Sequence, residues 1–206
     1  MFDLPTDLPA DLAPLSWLTG VWEGTGVIDY EIEDHRFAGE FLHRVSFSHD
    51  GGSALNYSAS AWLLQDPAEG DTERGRIPLV SEMGYWRLSR AASDADAGPG
   101  LLPARTAPVS RSADDVEKLR NAEGGFDIEA SIVHSDGISE LYLGSIRGPR
   151  IDLATDAVVR TAGTKVYAAA TRMYGLVDAH LLWAWDIAAY GRELSSHASA
   201  RLARVQ

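Results

Sequence analysis

Cysteine is absent from this sequence of 206 residues. Its absence excludes disulfide bonds, thiolate metal sites and a cysteine nucleophile, and it is consistent with a reducing cytosol. Basic residues are also scarce, because 18 Lys and Arg stand against 30 Asp and Glu, for a net charge of −12. Since phosphate contacts need clustered Lys and Arg, this balance argues against a nucleic-acid partner.

Long apolar runs and export signals are missing too. No apolar run reaches the roughly 18 residues that a membrane helix needs. The first residues, MFDLPTDLPADLAPL, lack the basic region and the cleavage site of a signal peptide. We therefore expect a cytoplasmic protein without a membrane partner, and the length predicts one soluble domain spanning residues 1–206.

Apolar and polar residues alternate with a period of two over most of the chain, which is typical of strands. Ten short segments joined mostly by tight turns, without helices of βαβ length, predict an all-β fold. A closed antiparallel up-and-down β-barrel is the simplest such fold, because closure removes exposed edges. The predicted strands are 41–47, 55–63, 77–88, 126–132, 138–146, 150–154, 157–162, 165–173, 180–188 and 197–205.

Two segments depart from the strand pattern. Residues 8–18 have helical spacing, with Asp7 as the predicted cap, Pro9 at the first position and Gly20 at the end. Residues 89–125 are rich in Ala, Ser, Asp, Gly and Pro, and we interpret them as a flexible insertion. A short helix is predicted near residues 112–120, where Ser112 and Asp115 form a weak capping box. The insertion could be a lid, but a solvated insertion is the interpretation we favour.

Common catalytic motifs are absent from the sequence: there is no G-x-S-x-G, no H-E-x-x-H and no phosphate-binding glycine loop. None of the six histidines has the spacing of a structural zinc site. His43 lies on the apolar face of its strand, so we expect a buried, hydrogen-bonded core histidine. Solvent exposure is the expectation for those at turns or strand ends, namely His35, His49, His134 and His180.

His197 opens the last predicted strand among small residues. By residue type alone, a strand-end histidine that faces water is the simpler interpretation. The small neighbours nevertheless leave room for a bulky group, and neutral imidazole is the commonest metal ligand in proteins.

Several motifs in order resemble those of the nitrobindins, small haem-binding β-barrels distantly similar to fatty-acid-binding proteins and lipocalins. The first is G-x-W-x-G-x-G at residues 20–26, in which the glycines allow close backbone approach and Trp22 closes one end of the barrel. The later ones are GPRI at 148–151, ATDAV at 154–158, RMYGL at 172–176, WDIAA at 185–189 and HASARL at 197–202. The resemblance covers about residues 15–204, with 89–125 as an extra insertion.

The resemblance implies a ten-stranded barrel that holds one haem b per chain near one mouth. His197 stands at the position of the iron ligand, and Lys165 at that of a lysine that contacts the haem. The implied activity is isomerisation of peroxynitrite to nitrate by ferric haem, together with nitric oxide binding. No catalytic side chain is implied, which agrees with the missing acid–base motifs.

Two positions depart from the family pattern. Glu31 stands where we align a threonine that lies near the haem, and Val80 stands where many members carry a histidine on the distal side. Because Val80 replaces that histidine, the sequence predicts a more apolar distal pocket. Two alternatives stay open: a haem-free barrel that carries a fatty acid or similar apolar ligand, and an interaction module with a filled interior. His197 argues against the lipid carrier, whereas Val80 and Glu31 argue for it. A homodimer is also left open.

Overall fold

The computed structural model describes residues 8–67, 74–107 and 111–205, and these form a closed antiparallel barrel. Each strand pairs with its neighbours in sequence, and the first strand pairs with the last, which confirms the predicted topology. The strands are β1 (Gly20–Ile32), β2 (His35–Ser48), β3 (Ala54–Leu64), β4 (Arg76–Leu88), β5 (Phe126–His134), β6 (Ile138–Arg147), β7 (Arg150–Arg160), β8 (Tyr167–Val177), β9 (His180–Ala189) and β10 (Ser195–Arg204).

Alternating burial defines the inner face of the barrel. In β9, for example, every second residue from Leu181 to Ala189 is buried.

The two segments predicted at 150–154 and 157–162 are one strand, β7, with a register shift opposite Leu141 and Tyr142. Such a bulge adds one unpaired residue and interrupts the period, which is why the pattern looked like two strands. A strand that was not among the ten segments, β1, precedes them, so the count is unchanged.

A 3₁₀ helix (Ala10–Leu18) closes one end of the barrel, which we call the closed end. Leu12, Leu15 and Leu18 are fully buried there. The predicted helix began two residues earlier; Pro9 holds the N-cap position without a side-chain cap, and Asp7 lies outside the described residues. Pro14 lies inside the helix and has no N–H to donate, which is consistent with a short 3₁₀ segment rather than a regular α-helix.

The glycines of β1 allow its close pairing with β10. A Cβ atom built on Gly24 would lie 2.2 Å from the carbonyl oxygen of Arg201, and one on Gly26 would lie 2.2 Å from that of Ser199. Trp22 is fully buried, and its Nε1 donates a hydrogen bond to the Leu18 carbonyl oxygen at 2.7 Å. The structural roles predicted for these residues are therefore confirmed.

The insertion between β4 and β5 packs at the closed end. Its short helix α1 (Ala113–Glu117) begins with the predicted capping box between Ser112 and Asp115. Val116 is buried beside the 3₁₀ helix, and the Arg111 Nε atom lies 3.6 Å from the Asp11 carboxylate. The flexibility of residues 89–125 stays a prediction.

Candidate functional site

A cavity of about 320 Å³ occupies the other half of the barrel. Because consecutive strands are antiparallel, the β1–β2, β5–β6, β7–β8 and β9–β10 turns lie at this end, which we call the mouth. The walls are mostly aliphatic and aromatic, and the volume falls within the range of small-molecule sites. The cavity shows that the hypothesis of an interaction module with a filled interior is wrong. Wall residues include Ile28, Tyr30, Phe41, Trp183, Trp185 and Ile187.

His197 faces this cavity rather than water. The register of β10 against β9 shifts between Ser196 and Ala198, so His197 is the extra residue of a bulge. Bulges redirect side chains, and this one coincides with an imidazole turned inward. Its ring meets two others edge to face, with centroid distances of 5.6 Å to Tyr30 and 5.3 Å to Trp185.

The environment of His197 keeps its imidazole neutral. Burial, together with the nearby Arg172 guanidinium, lowers the pKa of His197 to about 4. Neutral imidazole is the form that binds a metal. Within the described part of the chain, the Nδ1 atom of His197 is buried without a hydrogen-bond partner. The Nε2 atom is therefore the nitrogen available to the cavity.

The ligand set around His197 fits a haem better than a bare metal ion. In the ranges that the structure describes, no group of three or more His, Asp or Glu side chains is arranged to hold a metal. A haem needs only one protein ligand, since the porphyrin supplies the other four nitrogens. A single neutral imidazole in an aromatic cavity meets that requirement.

Lys165 lines the same cavity at its mouth, so the structure brings the two predicted site residues together. It was predicted to lie in a strand, but β8 begins at Tyr167, and Lys165 belongs to the preceding loop. The side chain is exposed there. The roles of His197 and Lys165 toward a cofactor stay predictions at this point.

The two departures from the family pattern have different outcomes. Val80 lines the cavity, as expected of a residue in a distal-histidine position. Glu31, however, is exposed and lies 3.8 Å from Arg192 on the outside of the barrel, so the expectation that it enters the pocket is wrong. Because side chains alternate along a strand, an alignment offset by one residue reverses the face. Tyr30 is the neighbour that faces the cavity, and its hydroxyl donates to the Ala189 carbonyl oxygen at 3.1 Å.

His43 is buried, as predicted, and also lines the cavity. Its Nδ1 atom lies 3.2 Å from the Ser60 carbonyl oxygen. Its ring packs against Trp183 with a centroid distance of 4.6 Å. His35 is exposed, as predicted, whereas His49 and His180 are only partly exposed.

A charged cluster of Glu82, His134, Glu140 and Arg172 lies beneath the cavity. The fully buried Arg172 guanidinium binds both Glu82 oxygens at 2.7 and 2.9 Å and one Glu140 oxygen at 3.2 Å. Burial alone would raise the pKa of Glu82, but Arg172 and His134 outweigh it and hold that pKa at about 2. Burial would also raise the pKa of Glu140, but the hydrogen bond from His134 and the charge of Arg172 lower it overall.

This cluster was not among the sequence predictions, and the expectation of solvent exposure for His134 was wrong. His134 is buried, with its Nε2 atom 2.6 Å from the Glu140 carboxylate. The available signal was position, because each member occupies the apolar face of its strand. His134, for instance, follows Ile132 with the spacing of two that buries Phe126, Ile128 and Ala130.

The lid interpretation of residues 89–125 is also wrong. The described parts of this insertion pack at the closed end beside the 3₁₀ helix, whereas the cavity opens at the mouth. In an up-and-down barrel the β4–β5 connection always lies at the opposite end from the β1–β2 turn.

Comparison with known proteins identifies the family. The model of the THAP4-like, heme-binding beta-barrel domain matches residues 11–204. The chain belongs to this family. The resemblance to the nitrobindins is thereby confirmed, and the match spans the insertion as well as the barrel.

Three curated relatives are each named peroxynitrite isomerase. The protein from Leifsonia xyli subsp. xyli is 60% identical over 206 residues, and that from Clavibacter michiganensis subsp. michiganensis is 56% identical over 205 residues; both alignments cover 100% of each chain. The protein from Kocuria rhizophila is 50% identical over 204 residues, which cover 99% of this chain and 95% of the relative.

A crystal structure of Rv2717c from M. tuberculosis has the same fold. It superposes with a TM-score of 0.63 at 24% identity, over 99% of this chain and 100% of that one. At this identity the likeness supports the barrel architecture alone.

Among the helices in the described ranges, none has the length and apolar character needed to cross a membrane.

Proposed function

We propose that this chain binds haem b through His197 and isomerises peroxynitrite to nitrate. The observation that carries the proposal is the neutral imidazole of His197, which faces an aromatic-lined cavity without a competing cluster of metal ligands among the described residues. Membership of a heme-binding barrel family and the names of the relatives support the same activity.

The surroundings of His197 suit an iron ligand. Tyr30 and Trp185 each pack edge to face with its ring and restrict its rotation. Nε2 is the nitrogen that would bind the iron, because Nδ1 is enclosed by protein. Lys165 is placed at the mouth, where its ammonium would pair with the carboxylates of the haem.

When bound, ferric haem would supply a Lewis acid for peroxynitrite, with His197 as the residue that would hold its iron. The chain's own contribution is to hold the cofactor, to exclude water with apolar walls and to admit a small anion past Lys165. Isomerisation needs no net proton transfer, so the missing acid–base motif is consistent with it. Nitric oxide binding, one haem per chain, a cytoplasmic location and a homodimer are further predictions of the same proposal.

A haemin titration of the purified, haem-free chain tests the iron ligand. We expect a sharp Soret band for the wild type and a lost or strongly weakened band for His197→Ala. The matched control is His49→Ala, which removes a histidine from the β2–β3 turn outside the cavity and should leave the band unchanged. An equal band in His197→Ala would show that another group binds the iron.

Stopped-flow decay of peroxynitrite then tests the reaction. We expect the haem-loaded chain to accelerate decay beyond the same concentration of free haemin, with nitrate as the product. A rate no greater than that of free haemin would reduce the protein to a haem binder.

A further inference from the structure

Arg160 and Lys165 are two cations at the turn between β7 and β8, at the mouth of the barrel. Arg160 is the last residue of β7, and its Nη1 atom donates a hydrogen bond to the Lys165 carbonyl oxygen at 3.1 Å. Lys165 lines the cavity, and both side chains are exposed. This hydrogen bond therefore holds the Arg160 guanidinium beside the residue that is proposed to meet the haem carboxylates.

The turn that carries the two cations is fixed to the neighbouring β5–β6 turn. The Thr161 N–H donates to the Gly137 carbonyl oxygen at 3.2 Å, and the Thr164 hydroxyl donates to the Asp136 carbonyl oxygen at 3.0 Å. Gly137 has a φ of +93°, and a Cβ atom there would lie 2.6 Å from the Thr161 hydroxyl oxygen, so glycine permits this contact. Because the turn is ordered in advance, binding through its side chains costs less conformational entropy.

Neither cation has a carboxylate partner among the residues that the structure describes. Carboxylates are nevertheless plentiful, since 30 Asp and Glu stand against 18 Lys and Arg. Arg150, on the same strand, pairs with Asp152 at 2.7 Å, and Arg192, at the same mouth, lies 3.8 Å from Glu31. The two cations of the β7–β8 turn are therefore available to an anionic group from outside the chain.

We propose that Arg160 is a second cation of the cofactor site, where it pairs with one propionate carboxylate of haem b while Lys165 pairs with the other. A planar guanidinium can donate two parallel hydrogen bonds to a carboxylate, which suits it to this role. The proposal rests on the haem binding proposed above and adds a residue that the family resemblance did not indicate. The ligand of this turn is a carboxylate of the cofactor rather than a free anion from solution.

Release of haem from the loaded full chain to an acceptor protein tests the pairing. We expect Arg160→Gln to release haem about two- to fivefold faster than the wild type at low salt, and at nearly the same rate at high salt. Arg160→Lys retains the positive charge and should stay closer to the wild type. With haemin dimethyl ester, whose carboxylates are esterified, Arg160→Gln and the wild type should release the cofactor at the same rate.

Arg192→Gln is the matched control, because it removes the same charge from the same end of the barrel but from an arginine that already has a carboxylate nearby. Its haem release should stay close to that of the wild type. Equal acceleration in the two variants would show that the general charge of the mouth is responsible. A difference that persists with the dimethyl ester would show that Arg160 acts on the fold and not on a carboxylate, and either result overturns the assignment.

The Soret band separates this proposal from the one on which it rests. A wild-type chain that gives no Soret band with haemin would overturn haem binding and, with it, the role of Arg160. A normal band in the wild type, with an unchanged release rate in Arg160→Gln at low salt, would overturn the role of Arg160 alone.

Discussion

The two halves of the barrel share one strand pattern but differ in what fills them. At the closed end, aromatic side chains pack directly against one another, with centroid distances of 5.4 Å between Phe47 and Trp86 and 5.1 Å between Trp86 and Tyr174. At the mouth, aromatic side chains line a space instead of filling it. The difference shows that alternation alone specifies a barrel, whereas the size and polarity of the inward residues decide whether it encloses a site.

The charged cluster lies at the boundary between the two halves. The Arg172 guanidinium lies 4.2 Å from the centroid of the Trp185 ring in the cavity wall. Its Nε atom donates to the Tyr142 hydroxyl at 2.9 Å, and Tyr57 donates to Glu82 at 2.7 Å. Buried charges are tolerated only when they are paired and hydrogen-bonded, and here each carboxylate has several partners. We interpret the cluster as the structural base of the cavity, because it separates the cavity from the packed closed end.

The largest expected effect on the free energy of unfolding comes from disrupting the charged cluster. Arg172→Met would leave the Glu82 and Glu140 carboxylates buried without their guanidinium, so we expect a loss of about 3–5 kcal/mol in the free energy of unfolding. Urea denaturation measures it. The control, Arg87→Met, removes an exposed ion pair with Glu129 and should cost less than about 1 kcal/mol. Equal losses in the two variants would mean that the cluster does not stabilise the boundary.

Acid should destabilise the half that holds the cavity. Burial lowers the pKa of His43 from 6.5 to about 4, so the unfolded chain binds more protons than the folded chain between these values. Stability therefore falls as the pH drops from 6.5 toward 4, by on the order of 3 kcal/mol for this residue. His197 shifts in the same direction.

Urea midpoints at pH 6.5 and 5.5 would measure this dependence, since the pKa of Glu82 is 4.5 in the unfolded chain and about 2 in the folded chain, both below that window. In His43→Leu the pH dependence should be distinctly smaller. If the variant and the wild type lose stability in parallel, His43 is not the group that responds to acid.

Truncating one tryptophan in each half compares the two kinds of packing. Trp86→Ala removes a fully buried ring from the closed end and should cost about 3–5 kcal/mol. Trp183→Ala removes a ring that already borders empty space, so fewer contacts are lost and the cost should be about 2 kcal/mol lower. Thermal unfolding with calorimetry measures both. The reverse order would show that the cavity wall, and not the closed end, is the better packed region.

The smallest effect is expected at the mouth. Lys165 is exposed, so Lys165→Ala should leave the free energy of unfolding within about 0.5 kcal/mol of the wild type. If the ammonium pairs with haem carboxylates, haem should dissociate from the variant a few-fold faster, and the difference should shrink at high salt. Transfer of haem to an acceptor protein measures the rate. Identical rates at low salt would remove Lys165 from the proposed site.

Alternation made the barrel predictable, because each strand buries one face and exposes the other. It did not locate the bulges, since a single extra residue breaks the period, as in β7 and at His197. His197 itself could be proposed from its small neighbours and from family resemblance. The inward turn of its ring depends on a register shift that the sequence does not display.

The charged cluster could be predicted only by giving the position of each residue in the alternating strand pattern more weight than its residue type. Glu82, Arg172 and His134 are polar, yet each lies two residues from a position on the inner face of its strand. Charged residues are usually exposed, so residue type outweighed spacing in the prediction for His134. Arg172 on β8 pairs with Glu82 on β4 and with Glu140 on β6, which are distant from it in sequence, and no local pattern indicates such contacts.

The location of the insertion makes the barrel easy to modify without touching its ligand chemistry. Residues 89–107 and 111–125 lie at the closed end, and the side chain of Leu101 is fully exposed beside Gly100. A reporter domain spliced between these two residues would be separated from the mouth by the length of the barrel. Such a fusion would carry its reporter domain and its ligand pocket at opposite ends of the barrel.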